Sequence, residues 1–193
     1  MGKLVLQIFL SLDGYFTGTN DELIPPDWSA DLERYWAGEA LSRASHLLYG
    51  RVNFVFNKGF WQAAETDPAS PAAAMPHAAT MNRLPKTVVS TSMAGDPGWN
   101  AVVLRGDLAA GIACLKDRNP GDIYSFGGAV LARALIELDL VDEYRLMVTP
   151  NLFGGGKRLF EPGFSRMNLV LMASRALDTG AVILHYRRTR STG

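Results

Sequence analysis

The chain is 193 residues long, 48% hydrophobic, and carries 19 basic against 19 acidic residues, so its formal net charge is zero. That length and apolar content fit one globular domain over residues 1–193 with a substantial core. The charge balance argues against nucleic acid as a partner, which is usually met by a basic excess or face.

No stretch is long enough to span a membrane. The faint signal-like run LVLQIFLSL is interrupted by Gln7 and followed by Asp13, with no small-residue cleavage pattern. The single cysteine, Cys114, has no internal disulfide partner, which points to a reducing, cytoplasmic setting; it reads as a small buried apolar residue on a helix. Lys3 to Leu12 reads as a first strand, apolar almost throughout, as suits a strand buried on both faces of a layered sheet. It runs into Ser11-Leu12-Asp13-Gly14-Tyr15-Phe16. Strand ends of this kind line ligand crevices in open α/β sheets, so Asp13 is a candidate site carboxylate; the alternative is an Asp bonding its own turn.

Thr17 to Asp27 is a polar loop, after which Asp27 or Ser29 caps a helix over roughly residues 30–45. Leu32, Tyr35, Trp36, Ala40 and Leu41 form its apolar stripe. Asp31 lies in its first turn, where a carboxylate either faces a ligand or complements the helix dipole. His46 to Tyr49 is a strand, and Gly50-Arg51 opens the next helix. An arginine in a first turn opposes the dipole by a few tenths to ~1 kcal/mol, so Arg51 either meets an anion or points into solvent. An Ala- and Pro-rich stretch over 66–76 leads to a short helix ending near Leu84. Lys86 to Ser90 is a strand ending in Ser90-Thr91-Ser92, hydroxyls suited to phosphate or ribose oxygens or to capping a turn. Val102 to Leu104 is a strand and Asp107 to Asp117 a helix.

Asp122 to Phe126 is a strand ended by Gly127 and Gly128, and Ala129 to Leu138 repeats apolar residues at helical spacing. A strand running through two glycines into a helix lets a ligand touch backbone, and offers a phosphate free N–H groups with a partial positive charge. The alternative is a tight strand-to-helix turn. Tyr144, Leu146 and Val148 alternate as a strand. Gly154-Gly155-Gly156 is a wide turn or an anion cradle. Met167–Ala176 and Ala181–Arg187 pair as an antiparallel hairpin through Asp178-Thr179-Gly180, and the basic tail Arg187 to Arg190 is solvated. The alternation predicts an α/β fold: three layers, α/β/α, with a mixed, mostly parallel twisted sheet finishing in a β-hairpin. His46, His77 and His185 form no metal-ligand spacing with each other or with Cys114. There is no nucleophile elbow or phosphate-loop motif. Hydride transfer needs neither.

Four elements in fixed order then carry a resemblance: Ser11-Leu12-Asp13-Gly14, Leu48-Tyr49-Gly50-Arg51, Lys86-Thr87-Val88-Val89-Ser90, and Phe126-Gly127-Gly128 through LVDEYRLMVTPNLFGGGKRLF. Together they resemble the dihydrofolate-reductase-like superfamily, and more closely the bacterial group related to the reductase domain of the bifunctional riboflavin-biosynthesis deaminase-reductase. The resemblance covers nearly the whole chain. It implies NADPH lying across the carboxyl ends of the strands. Phe126, Gly127 and Gly128 would sit against the dinucleotide, and the matching Gly-Gly bond is cis in dihydrofolate reductases. The N–H groups of Ala129, Val130 and Leu131 would face the pyrophosphate. Gly50 and Arg51 would meet the adenosine 2′-phosphate, with Ser90 and Thr91 beside it, and Phe16 and Thr17 would border the nicotinamide. Asp13 and Tyr15 would face the substrate, with Asp13 as anchor or proton manager and hence the catalytic candidate. Asp31 lies near the place of the acidic residue that holds the pterin in dihydrofolate reductases. Where the family usually has a threonine two residues after the arginine, this chain has Asn53, which can still donate to phosphate. The activity implied is NADPH-dependent reduction of a small heterocycle, akin to that of 5-amino-6-(5-phosphoribosylamino)uracil reductase or dihydrofolate reductase, with no metal. The alternative on the same fold is a non-catalytic nucleotide-binding or regulatory protein. Dimers are common in the family, and the aromatic strand VILHYR is the segment suited to a homodimer interface.

Overall fold

The structure, a computed structural model, describes residues 1–161, 163 and 165–190. β1 (Leu4–Ser11) buries every residue but Phe9, which is half-buried. A strand that apolar on both faces has to be covered on both faces, and it lies inside the sheet. It pairs in parallel with β5 (Asp122–Ser125) on one side and β6 (Glu143–Thr149) on the other. Beyond β5 come β2 (Ala44–Gly50), β3 (Lys86–Val89) and β4 (Ala101–Leu104), all parallel. Beyond β6 comes the antiparallel hairpin of β8 (Val182–Arg188) and β7 (Leu169–Ala176), for a strand order β4-β3-β2-β5-β1-β6-β8-β7.

Because successive side chains of a strand point to opposite faces, β1 feeds two cores. Leu4, Leu6, Ile8 and Leu10 pack with Ile112 of α5 (Leu108–Arg118) and with Leu131, Leu135 and Ile136 of α6 (Ala129–Glu137). Val5 faces the other way, with Tyr49 of β2, Phe54 and Trp61 of α3 (Arg51–Thr66) and Met81 of α4 (Ala78–Arg83). Helices therefore cover both faces, as the alternating pattern predicts. A 3₁₀ turn over Pro71–Ala74 joins α3 to α4.

The helix expected over 30–45 differs in detail. It opens as α1 (Ala30–Leu32), capped by the Ser29 hydroxyl on the Leu32 N–H, widens into a π-helical Glu33–Gly38, and ends as α2 (Glu39–Arg43), with β2 starting at Ala44. A π turn leaves carbonyls out of the regular ladder. Buried polar groups from the sheet meet them: Gln7 Nε2 and Arg145 Nη1 both donate to the Trp36 carbonyl, at 3.1 and 3.0 Å, and Arg145 also donates to the Tyr35 carbonyl. The interruption of the first strand by Gln7 thus has a structural use.

Two surface expectations also change. Cys114 is exposed on α5 rather than buried. The basic tail is not simply solvated: Arg188 Nε pairs with Asp139 at 2.8 Å and Arg190 Nη1 with Asp142 at 2.8 Å, fastening the end of β8 to the loop before β6. Among the described residues no helix is long and apolar enough to cross a membrane.

Candidate active site

β2 and β5 are neighbours in the sheet, and each ends in a glycine turn that starts a helix. α3 packs on one face and α6 on the other, so the two helix N-termini flank the carboxyl edge of the sheet, where open α/β sheets bind ligands. They are close together. A Cβ on Gly50 would lie 3.4 Å from the Leu131 Cβ, and one on Gly128 would lie 3.5 Å from the Asn53 Cβ. Neither helix has a side-chain cap at its Ncap glycine. The first intrahelical bond of α6 is Ala132 N–H to Gly128 O, which leaves the N–H groups of Ala129, Val130 and Leu131 without helical partners. Gly127 and Gly128 have φ of 101° and 92°, the left-handed region that favours glycine. The turn between them is made by these angles; no cis peptide bond occurs among the described residues, contrary to the expectation from dihydrofolate reductases.

This edge opens into a cleft of about 950 Å³. All the residues expected at the cofactor line it: Phe16 and Thr17 from the first loop, Gly50, Arg51 and Asn53 from the start of α3, Ser90 and Thr91 after β3, and Phe126 to Leu131. Arg51 is exposed and its guanidinium has no protein partner among the described residues. Asn53 ties the two helix starts together by donating from Nδ2 to the Phe126 carbonyl at 3.5 Å. The Ser90 hydroxyl accepts from the Ser92 and Met93 N–H groups at 3.2 and 3.0 Å, so it shapes the loop after β3. It keeps its own proton to donate.

The three acidic or phenolic candidates for the substrate side lie elsewhere. Asp13 does not line the cleft; its carboxylate accepts from Ser11 Oγ at 2.6 Å and from the N–H groups of Phe153 and Gly154 at 3.1 and 2.8 Å. It braces one loop against another. Tyr15 is also outside the cleft lining, with the Arg158 guanidinium 4.4 Å over its ring and Arg158 Nη2 donating to its hydroxyl. Asp31 stays in the first turn of α1, half-buried and outside the cleft lining. The Gly154–Gly156 loop packs against residues 17 and 18, with the Lys157 N–H donating to Thr17 Oγ1 at 2.9 Å, and forms a turn rather than a cradle.

The far end of the cleft is built from residues that carry no motif: Trp28, Trp36, Phe56, Asn57, Trp61 and His77. Of the three histidines only His77 lies there. His46 is in the core against Thr87 Oγ1 at 2.9 Å, where burial pushes its pKa down to about 4, and His185 pairs with Glu143. Among the described residues no group of His, Cys, Asp and Glu could hold a metal ion.

Comparison with known proteins places this geometry. The family described as the RibD C-terminal domain matches residues 2–183. YyaP of Bacillus subtilis (strain 168), an uncharacterised protein, is 28% identical over 186 residues, covering 95% of this chain and 94% of its own length. A candidate riboflavin-biosynthesis protein of Shewanella sp. PV-4 superposes with a TM-score of 0.71 at 23% identity, over 98% of this chain and 100% of that one. Dihydrofolate reductase of Enterococcus faecalis, solved with NADP(H), superposes with a TM-score of 0.59 at 16% identity, over 98% of each chain. The fold is dihydrofolate-reductase-like.

Proposed function

The chain belongs to the RibD C-terminal domain family, and from that premise we propose that it is an NADPH-dependent reductase of a small heterocyclic substrate, an oxidoreductase. The observation that carries the reading is the meeting of two uncapped helix N-termini beside an unpartnered arginine at the mouth of one cleft. An uncapped N-terminus presents N–H donors and about half a positive charge, and two of them aimed at one place suit a pyrophosphate. The positive φ of Gly127 and Gly128, with no side chain at either, lets the dinucleotide come down onto the backbone.

In this reading the N–H groups of Ala129, Val130 and Leu131 hold the pyrophosphate. Arg51 takes the 2′-phosphate, with Ser90 and Thr91 donating beside it. Phe16, buried and hydrogen-bonded through its backbone N–H to the Lys157 carbonyl, and Thr17 border the nicotinamide and exclude water from it. NADPH, when bound, would supply a hydride to the substrate double bond, with solvent supplying the accompanying proton. The likeness to an NADP(H)-binding dihydrofolate reductase fold supports the cofactor assignment.

The experiment is a titration of the purified chain with NADPH and with NADH, read by tryptophan fluorescence, on wild type and Arg51→Ala. The expected result is that NADPH binding weakens by about tenfold or more while NADH binding changes little, since a charge-assisted contact to phosphate is worth about 1.5–3 kcal/mol. Equal weakening of both removes Arg51 from the 2′-phosphate. Absence of binding by either nucleotide overturns the cofactor assignment.

A further inference from the structure

The end of the cleft remote from Arg51 has a chemistry of its own. Trp61 lies ten residues along α3 from Arg51, about 15 Å at 1.5 Å per residue, and both line the cleft. Trp28, Trp36, Phe56 and Trp61 make this end aromatic. His77 is 9% exposed, with its ring between Trp28 and Trp61 at centroid distances of 5.9 and 4.9 Å.

The two side-chain amides there are engaged, while the indole N–H groups of Trp28 and Trp36 have no protein partner among the described residues. Gln7 donates to the Trp36 carbonyl and accepts from Arg145. Asn57 donates to Asn53 and accepts from Trp61 Nε1 at 3.1 Å. His77 differs. Its Nδ1 bonds Glu33 Oε1 at 2.9 Å, and its Nε2 has no protein partner among the described residues. With Nδ1–H donating to a carboxylate, the neutral ring presents Nε2 as an acceptor. Glu33 Oε2 is buried with no hydrogen-bond partner among the described residues.

Charge completes the picture. Three residues lining the cleft carry a formal charge: Arg51, at the opposite end, and Asp21 and Lys157, which pair with each other at 2.6 Å where both are exposed. A phosphate placed among the tryptophans would lose its hydration, and among the described residues lining the cleft the one lysine is already paired with Asp21 while the one arginine is Arg51 at the opposite end.

We propose that this end of the cleft takes an uncharged, flat heterocycle without a phosphate group, stacked against the tryptophans and donating a ring N–H or amino hydrogen to His77 Nε2. The proposal rests on the reductase reading of the same cleft. It separates this chain from the phosphoribosylated pyrimidine of the riboflavin-pathway reductase that its sequence resembles.

The test uses a matched pair of probes, 6-hydroxymethylpterin and its monophosphate ester, titrated calorimetrically into the full chain with and without saturating NADP⁺. The expected result is binding of the free pterin about tenfold or more tighter than the ester, and a comparable loss of pterin affinity in His77→Phe, which keeps a ring and removes Nε2. Equal or tighter binding of the ester, or binding of neither probe, overturns the proposal on wild-type protein alone, whatever the variant does. Unchanged pterin affinity in a folded His77→Phe protein removes the histidine contact. Failure of NADP⁺ to bind, with the preference for the free pterin intact, overturns the reductase reading and leaves this one standing.

Discussion

Asp13 is where the meaning of a motif and its structural use part company. Ser11-Leu12-Asp13-Gly14 is visible in the sequence, and a carboxylate at the end of a core strand invites a catalytic role. Its partners, the N–H groups of Phe153 and Gly154, are 140 and 141 residues away, a separation no local pattern reveals. The Ser11 hydroxyl above all, with those two amides, draws its pKa from the ordinary 3.8 to about 2. A depressed carboxyl stabilises the fold fully above its unfolded pKa and loses that contribution as pH falls through its folded one, so this brace holds at neutral pH and releases between about pH 4 and 2. Asp13→Asn replaces two acceptor oxygens by one and puts a donor against a donor. Hydrogen exchange should speed up at Phe153 and Gly154, with NADPH affinity changed no more than about threefold. Unchanged exchange at those amides together with a collapse of turnover would return Asp13 to the chemistry. The same distance effect hid His77, which stands just before α4 and whose partner Glu33 lies 44 residues away in the π-helical segment.

At the scale of elements, legibility followed periodicity. The strands and helices over 44–66 and 122–149 are legible because two-residue and 3.6-residue repeats survive in them and glycines mark their junctions. The helix over 30–43 is not fully legible, because its π turn shifts every later residue around the axis relative to a 3.6-residue projection. Trp36, Ala37 and Leu41 of this helix line the cleft. The glycine loop after β6 is legible as a turn, but the three glycines are not equivalent. Gly154 has φ of 69°, and a Cβ there would stand in open space, with nothing within 4 Å. Gly156 has φ of 115°, and a Cβ there would fall 2.1 Å from the Thr17 carbonyl oxygen and 2.6 Å from that of Gly18. Gly154→Ala should cost about 1–2 kcal/mol from backbone conformation alone. That is a fall in Tm of a few degrees for a chain of this size. Gly156→Ala must in addition push two backbone segments apart, one of them carrying Phe16 and Thr17, so it should lower Tm further and weaken NADPH as well. Thermal melts and nucleotide titrations of the two variants side by side check this; equal behaviour would mean the 17–18 segment yields freely.

Across the whole molecule the two rims of the parallel sheet do different work. The carboxyl rim is left open, with helices that have no side-chain cap and an arginine unpaired among the described residues. At the opposite rim, Glu143 at the start of β6 gathers Lys3 at 2.6 Å, Arg43 at 3.4 Å and His185 at 2.8 Å, tying the entries of β1 and β2 to β8. The His185 hydrogen bond foremost, and then Lys3, lower its pKa from 4.5 to about 2. The sign is that of Asp13: the contribution is complete above pH 4.5 and disappears as pH falls through about 2. A depression of that size corresponds to about 3 kcal/mol at most, less what solvent screens at Lys3 and Arg43, which are 52% and 43% exposed. Glu143→Gln should therefore lower the melting temperature at pH 7 and flatten its dependence on pH between 4.5 and 2. Cofactor affinity at pH 7 should not change, because the residue stands at the far end of β6 from the cleft. Melts across that pH range, paired with NADPH titration at pH 7, separate the two rims. A variant that melts like wild type at neutral pH would show that the cluster is carried by the surrounding strand pairing, and one that also loses NADPH would show that the sheet transmits strain from one rim to the other.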